Sequence, residues 1–485
     1  MKDMLQRWAV SPAVLILRLL AVLLAGLLLV HVAYVVAHPY QIDIIGRTLA
    51  TGAVALTRGE PVYSAPALAM QYTPGFLVLQ ALFFRVFGYV PHLWIFIGSL
   101  GSITYALTLS AYFWRRAPLI TPLVPASLLA CLFPVLWPRA DLYAVLLLGI
   151  GFVVLLEKRA ASIAVLLFGL SLFFKQTSLP AIILAAFLGC YDGRSDWRAI
   201  RRSISIVGSS VAVFAVLLAL YAAATQDSLR DMIAIFSIGR DHPIPATNIT
   251  YYSMISAALT ALPTIALLKS SGGYKFRVPV IALHVFSLPY IIFAAKAGGH
   301  WHHFLFPSLA WLWLLGRTSE SLAIRDRALA LTTIGSLLAL LIAGYFQGFG
   351  GPVPATAEDQ LAGQELATFV ANIPPQQALF LDSESGLGLT VGATYRGLST
   401  RYDRGAFEEH MAAGDHVPAD LIVQIQSGTI PLIIRRLGRE LMFTAYGNSY
   451  APMNQTIKTG YAPCQGYILQ FWEVLCSKND QNIRY

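Results

Sequence analysis

A chain of 485 residues with 56% hydrophobic and only 12% charged residues cannot clothe a water-facing globule, because soluble domains carry about 25% charged residues. The formal charge of +9 does not point to nucleic acid. The basic residues fall mainly in short loops between apolar runs, the pattern that orients membrane proteins, and no aromatic-basic surface motif accompanies them.

The first apolar run, Pro12 to Val36, follows Lys2 and Arg7 but is about twice a signal-peptide core and lacks a small-residue cleavage site, so it reads as a retained helix. Further runs of near-spanning length lie at 92–113, 119–137, 141–156, 161–174, 179–190, 204–224, 250–268, 279–295, 303–316 and 328–346. The expected fold is therefore a polytopic α-helical membrane protein of about eleven crossings. An inside N-terminus puts Arg115, Arg116, Lys158, Arg159, Arg194, Arg198, Arg201 and Arg202 in the cytoplasm. Lys269, Lys275, Arg277, Arg317, Arg325 and Arg327 join them, so every short inside loop carries at least two positive charges. The C-terminal region then lies outside.

Three outside segments stand apart. The loop 37–91 holds a mixed helical stretch, Asp43 to Leu56, and an apolar one, Pro74 to Phe87, which read as interfacial helices. The segment from Thr225 to Ile249 is expected to be a loop. Beyond Gly350 the composition changes, and 351–485 is expected to form a small extracytoplasmic α/β domain. In it, Ala355–Val370 reads as a helix, "QALFLDSES" and "DLIVQIQ" as strands, "IIRRLGREL" as a helix and "GYILQFWEVL" as a strand. Neither GxGxxG nor a P-loop occurs there, so nucleotide binding has no support. Cys131 and Cys190 read as packing residues, whereas Cys464 and Cys476 could pair if the tail is extracytoplasmic.

Ionisable residues at membrane depth are costly and mark function by default. They gather at outside junctions: Asp43 in "HPYQIDIIGR", Arg139 and Asp141 in "WPRADLYA", Lys175 with Gln176 in "FFKQTS", and Lys296, His300, His302 and His303 in "AKAGGHWHHF". Asp43 suits a general base toward a hydroxyl, or equally a helix N-cap. Arg139, Lys175 and Lys296 could together receive an anionic headgroup or could each snorkel to the interface. Arg139 and Asp141 could pair with each other. The adjacent His302 and His303 would point to different sides of a helix and have no carboxylate at ligand spacing, so no metal site is expected. Tyr72 and Pro74 in "QYTPG" would shape the first-loop helix or simply form its turn. No Walker, HExxH, CxxC or Gly-x-Ser-x-Gly motif occurs.

The order of these segments resembles the GT-C superfamily of polyprenyl-phosphate-dependent glycosyltransferases, in particular its bacterial protein-mannosyltransferase-like and Rgt-like branch. In the first loop, Asp43 opens a helix, Gly59 and Tyr63 form a Gly-x-x-x-Tyr, and Tyr72-x-Pro74 begins a second helix ending in Phe-Gly. "RADLYAVLLLGIG", "FKQTSLPAIILAAF" and "KAGGHWHHFLFPSLAWLWLLG" are similar to later helix starts of that branch, and the likeness covers most of 1–346. It implies a GT-C-like catalytic domain, 1–350, that transfers a sugar from a polyprenyl-phosphate donor to a glycolipid, polysaccharide or protein acceptor outside the inner membrane. Asp43 would be the catalytic carboxylate of an inverting reaction. Arg139, Lys175 and Lys296 would bind the donor phosphate, and Tyr72, Asp141, Gln176, His300, His302 and His303 would contact substrate. Ile44 stands where the family often has a second acid, which favours a mechanism without metal or other cofactor. His302 and His303 replace a frequent Asn-Tyr pair. A transporter or flippase is the rival reading, but it predicts inverted repeats and broken helices that are not evident.

Overall fold

A computed structural model describes residues 12–37, 44–63, 72–88, 90–132, 139–157, 160–191, 197–238, 244–269, 277–296, 301–321, 334–338, 341, 357–373, 378–380, 423, 425–437 and 451–478. They fall into two compact units. One draws on the stretches 1–34, 97–218 and 243–351, the other on 35–96, 219–242 and 352–485.

The first unit is helical. Its elements are α1 (Pro12–Ala37, most of which belongs here), α4 (Pro91–Arg116, likewise), α5 (Leu123–Leu132), α6 (Ala140–Leu156), α7 (Ala161–Phe174), α8 (Leu179–Cys190), α9 (Trp197–Ala224, up to Leu218), α11 (Ala246–Lys269), α12 (Arg277–Ala295) and α13 (Leu305–Ser321). Short 3-10 turns at Pro118–Ile120, Gln176–Ser178 and Trp301–Phe304 join some of them. The apolar runs at 161–174 and 179–190 coincide with α7 and α8. The expected span 328–346 lies mostly outside the described residues.

Among the described residues, four helices, within α1, α4, α9 and α12, are long and apolar enough to cross a bilayer, and five shorter apolar helices accompany them. α1 turns Leu15, Ile16, Leu19, Val22, Leu23, Leu29 and Val30 outward, each more than half exposed. A contiguous apolar face of that kind is stable against lipid and not against water. The interior is filled by Leu148, Phe152, Phe168, Leu184, Leu309 and Trp311.

Glycines set how closely these helices approach. A Cβ on Gly151 would stand 2.7 Å from the Phe168 ring, and one on Gly169 would meet Val213 at 2.5 Å. Small residues at such crossings let helix backbones pack where lipid offers no hydrophobic drive. At one end of the unit, Arg116 donates to Glu157 at 2.8 Å. This bridge requires the C-terminal ends of α4 and α6 to lie together, the parity that the loop charges demand.

The second unit contains α2 (Ile44–Thr57), α3 (Gly75–Phe87), α10 (Leu229–Ile238), α14 (Ala357–Ala371), α15 (Ala451–Gly460) and four short strands. α2 and α3 match the two helices expected in the first loop. α2 ends at Gly59, whose φ of +74° is the left-handed turn that glycine adopts without a Cβ penalty. α10 corrects the expectation of a loop at 225–249. The Ser228 side chain accepts the Asp231 N–H at 3.1 Å, so Ser-Leu-Arg-Asp is a helix-capping sequence.

The strands are β1 (Ala378–Phe380), β2 (Leu432–Arg436), β3 (Tyr461–Pro463) and β4 (Trp472–Ser477), in the order β1-β2-β4-β3. β1 and β2 run parallel, and the other pairs are antiparallel. Two expectations for the tail are overturned. "IIRRLGREL" begins as strand β2, because Leu432 and Ile434 face α14 while Ile433 is buried as well. "DLIVQIQ" is helical at Val423, Ile425 and Gln426. Short apolar runs carry too few residues to separate a period of 2 from one of 3.6, so tertiary packing decides.

Ala362, Leu366 and Phe369 of α14 pack on Leu432, Ile434, Trp472 and Val474. Trp472 donates its indole N–H to the Ala362 carbonyl at 2.8 Å, and Glu365 accepts the N–H groups of Gln470 and Phe471. Cys464 and Cys476 form a disulfide with a Cα–Cα distance of 5.1 Å. It ties the chain just past β3 to β4.

Candidate functional site

Three helix ends of the first unit converge on one carboxylate. Arg139 precedes α6 in extended backbone, and Asp141 lies in the first turn of that helix, where the helix dipole favours an anion. α7 stops at Lys175, whose φ and ψ of −155° and 117° break the helical run. The next three residues tighten into a 3-10 turn, where Ser178 accepts nothing locally but donates its hydroxyl to the Lys175 carbonyl at 2.8 Å. Pro180 then sits in the first turn of α8, where its missing N–H costs nothing.

Tyr290 of α12 fixes this turn from the side. Its hydroxyl accepts the Ala181 N–H at 3.0 Å and donates to the Thr177 carbonyl at 3.0 Å. Its ring stacks on Phe306, with centroids 5.7 Å apart. Further support comes from Ser171, which donates to the Ala144 carbonyl at 2.8 Å, and from Tyr143, stacked on Phe174. Gly101 of α4 stands where a Cβ would approach the Leu142 backbone to 3.2 Å, so the α6 turn beside Asp141 is closely backed.

On this frame the Lys175 ammonium donates to Asp141 Oδ1, and His302 Nε2 stands 3.6 Å from the same oxygen. All three side chains are 3% exposed or less. Arg139 is also buried. Asp141 therefore pairs with Lys175, the alternative to the Arg139–Asp141 pair that the sequence left open.

His302 and His303 do not diverge as two residues of an α-helix would. They lie in the 3-10 turn ahead of α13 with ring centroids 4.2 Å apart, and His303 packs against Phe293. Gln176 is half-buried in the turn after Lys175. Lys296 follows the last turn of α12, its N–H bonded to the Ile292 carbonyl. Asp43 and His300 lie outside the described residues. Among the described residues no group of three metal-ligating side chains occurs.

The second unit holds another buried carboxylate, which the sequence reading did not single out. Asp227 accepts the Val62 N–H at 2.9 Å and the Tyr63 N–H at 2.6 Å through Oδ1. Its Oδ2 accepts the Tyr221 hydroxyl at 3.0 Å and a longer contact from Val62. The Tyr63 ring stands edge-on to Tyr221, and its hydroxyl donates to the carbonyl of Tyr72. Tyr72 thus enters through its backbone, and the Gly-x-x-x-Tyr spacing marks a turn followed by an anchoring tyrosine.

No protein-family model matches the sequence, and no curated protein matches it. Solved structures do. ArnT from Cupriavidus metallidurans bound to undecaprenyl phosphate superposes with a TM-score of 0.55 at 11% identity, covering 96% of this chain and 99% of that one. The apo form of that ArnT gives 0.56 at 12% identity, with coverage of 94% and 97%. This chain has the fold of ArnT. The likeness covers nearly the whole of both chains and is one of fold; it does not select the branch expected from the motifs.

Proposed function

We propose that this protein is a membrane glycosyltransferase that takes its sugar from a polyprenyl-phosphate donor. The observation that carries the reading is the buried group of Arg139, Lys175, Asp141 and His302, in a chain sharing its fold with a protein crystallised with undecaprenyl phosphate. A lipid phosphate leaving its sugar gathers negative charge, and fixed cations in a dry site stabilise that charge without reorganising. A helix of 14 residues rises about 21 Å, short of a hydrocarbon layer of about 30 Å. The charged end of α7 consequently needs protein cover, and it has it.

In this reading, Arg139 and Lys175 hold the donor phosphate with Lys296, and Gln176, Asp141, Tyr72, His300, His302 and His303 line the substrate. Asp43 is the catalytic residue. It takes the proton of an acceptor hydroxyl whose oxygen attacks the anomeric carbon, while the bond from that carbon to the phosphate oxygen breaks with its electron pair. Configuration inverts, and polyprenyl phosphate leaves. The acceptor is a glycolipid, polysaccharide or protein, and the sugar a hexose or pentose. The catalytic domain, 1–350, and the tail, 351–485, face this chemistry on the extracytoplasmic side of the inner membrane. The N-terminus lies in the cytoplasm. The disulfide of the tail supports that orientation, since such bonds persist in oxidising compartments.

The test is to incubate purified protein with radiolabelled polyprenyl-phosphate sugars and to score free lipid phosphate. Release with one donor, abolished by Asp43→Asn while donor binding persists, is the expected result. Silence across a broad panel would transfer the weight to lipid or anion transport.

A further inference from the structure

Asp227 is 4% exposed and accepts two backbone N–H groups and one phenol. The backbone it grips is 164 and 165 positions away in sequence, so the contact is tertiary and not a by-product of local turn geometry. A carboxylate accepting several such donors makes charge-assisted bonds, shorter and roughly twice as strong as neutral ones. The gripped residues follow immediately on the Gly59 turn that ends α2. One of them, Tyr63, reaches on to the Tyr72 carbonyl just before α3. Burial, with the Tyr221 and Asp227 oxygens adding, holds the Tyr63 phenol well above the ordinary tyrosine range. It therefore stays a hydrogen-bond donor at every physiological pH.

We propose that Asp227 is a positioning residue: it clamps the chain at Val62 and Tyr63, and thereby fixes the exit of α2 and the entry of α3 in the first loop. The inference deepens the proposed glycosyltransfer, because Asp43 directly precedes α2 in the sequence. A rigid α2 held at its far end keeps that carboxylate in register with its substrate, and reacting groups displaced by about 1 Å can lose a hundredfold in rate. Asp227 itself touches no substrate.

The clamp and the chemistry are separable by experiment. The purified full-length protein is digested with limiting trypsin, and cleavage after Arg58 is compared with cleavage after the exposed Lys458 of α15. Asp227→Ala is expected to speed cleavage at Arg58 about tenfold with Lys458 unchanged, because local opening governs the rate. Tyr221→Phe should fall between it and the parent. In the transfer assay kcat should drop at least about tenfold while donor KM moves less than about twofold, the signature of a lost transition-state arrangement. Unchanged cleavage at Arg58 overturns the proposal. So does a parallel rise at Lys458, which would make Asp227 a support of the whole fold, and so does an opened Arg58 with kcat preserved. If no donor is turned over by the parent, the glycosyltransferase reading falls, and the ratio of the two cleavage rates still decides whether the clamp exists.

Discussion

Two buried carboxylates, each within its own unit, solve the same physical problem in opposite ways. Asp141 is answered by side-chain cations, Lys175 first, with His302 nearby. Asp227 is answered by backbone N–H groups and a phenol. An ion pair stripped of water repays its desolvation only with good geometry, and removing one member leaves a charge stranded. A carboxylate that accepts backbone N–H groups fixes the backbone. The first arrangement gathers basic side chains at helix ends. The second spends its bonds on position.

The sharpest way to break this contrast is Asp141→Ala. It strands the Lys175 ammonium, and a loss of about 3–5 kcal/mol in unfolding free energy is expected, read by thermal denaturation in detergent. The double variant Asp141→Leu, Lys175→Met should regain that stability, since an apolar pair of similar volume is neutral or better by about 1–4 kcal/mol. It should nevertheless release no lipid phosphate. If the double variant is as unstable as the single one, the pair is not the source of the effect. Tyr290→Phe tests the turn that presents Lys175. It removes a donor to Thr177 and an acceptor from Ala181, and a loss of about 1–3 kcal/mol is expected because both groups are buried. Arg116→Ala is the smallest. The Arg116 side chain is 49% exposed, so a change under about 1 kcal/mol should appear in the same measurement.

How much of this was legible in the sequence follows from the range of each interaction. The helices α7 and α8 were readable to the residue, because long apolar runs end abruptly at Lys175 and Cys190. α2 and α3 were readable from the Asp43–Leu56 and Pro74–Phe87 stretches for the same reason. The strand β2 was misread because "LIIRR" is too short to show a period, and the packing of Leu432 and Ile434 on α14 is a tertiary contact. At the candidate site, Arg139, Asp141, Lys175 and His302 all announced themselves as ionisable residues at helix ends. Their pairing did not, because 34 positions separate Asp141 from Lys175 and Arg139 was the nearer partner in sequence. Asp227 gave no signal of its own. The capping sequence beside it marks the start of α10, and only the folded chain brings Val62 and Tyr63 to its carboxylate.

The bond between Cys464 and Cys476 makes the tail a record of where it matured. It closes a loop of 12 residues, a cross-link worth about 3 kcal/mol in chain-entropy terms, in the small sheet that packs on α14. A polypeptide whose tail never met an oxidant would keep its lipid-embedded helices but carry two alkylatable thiols and a protease-sensitive end. A mass tag on those thiols, applied to intact cells grown with and without their thiol-oxidising machinery, would thus report both the compartment and the quality of the assembled protein.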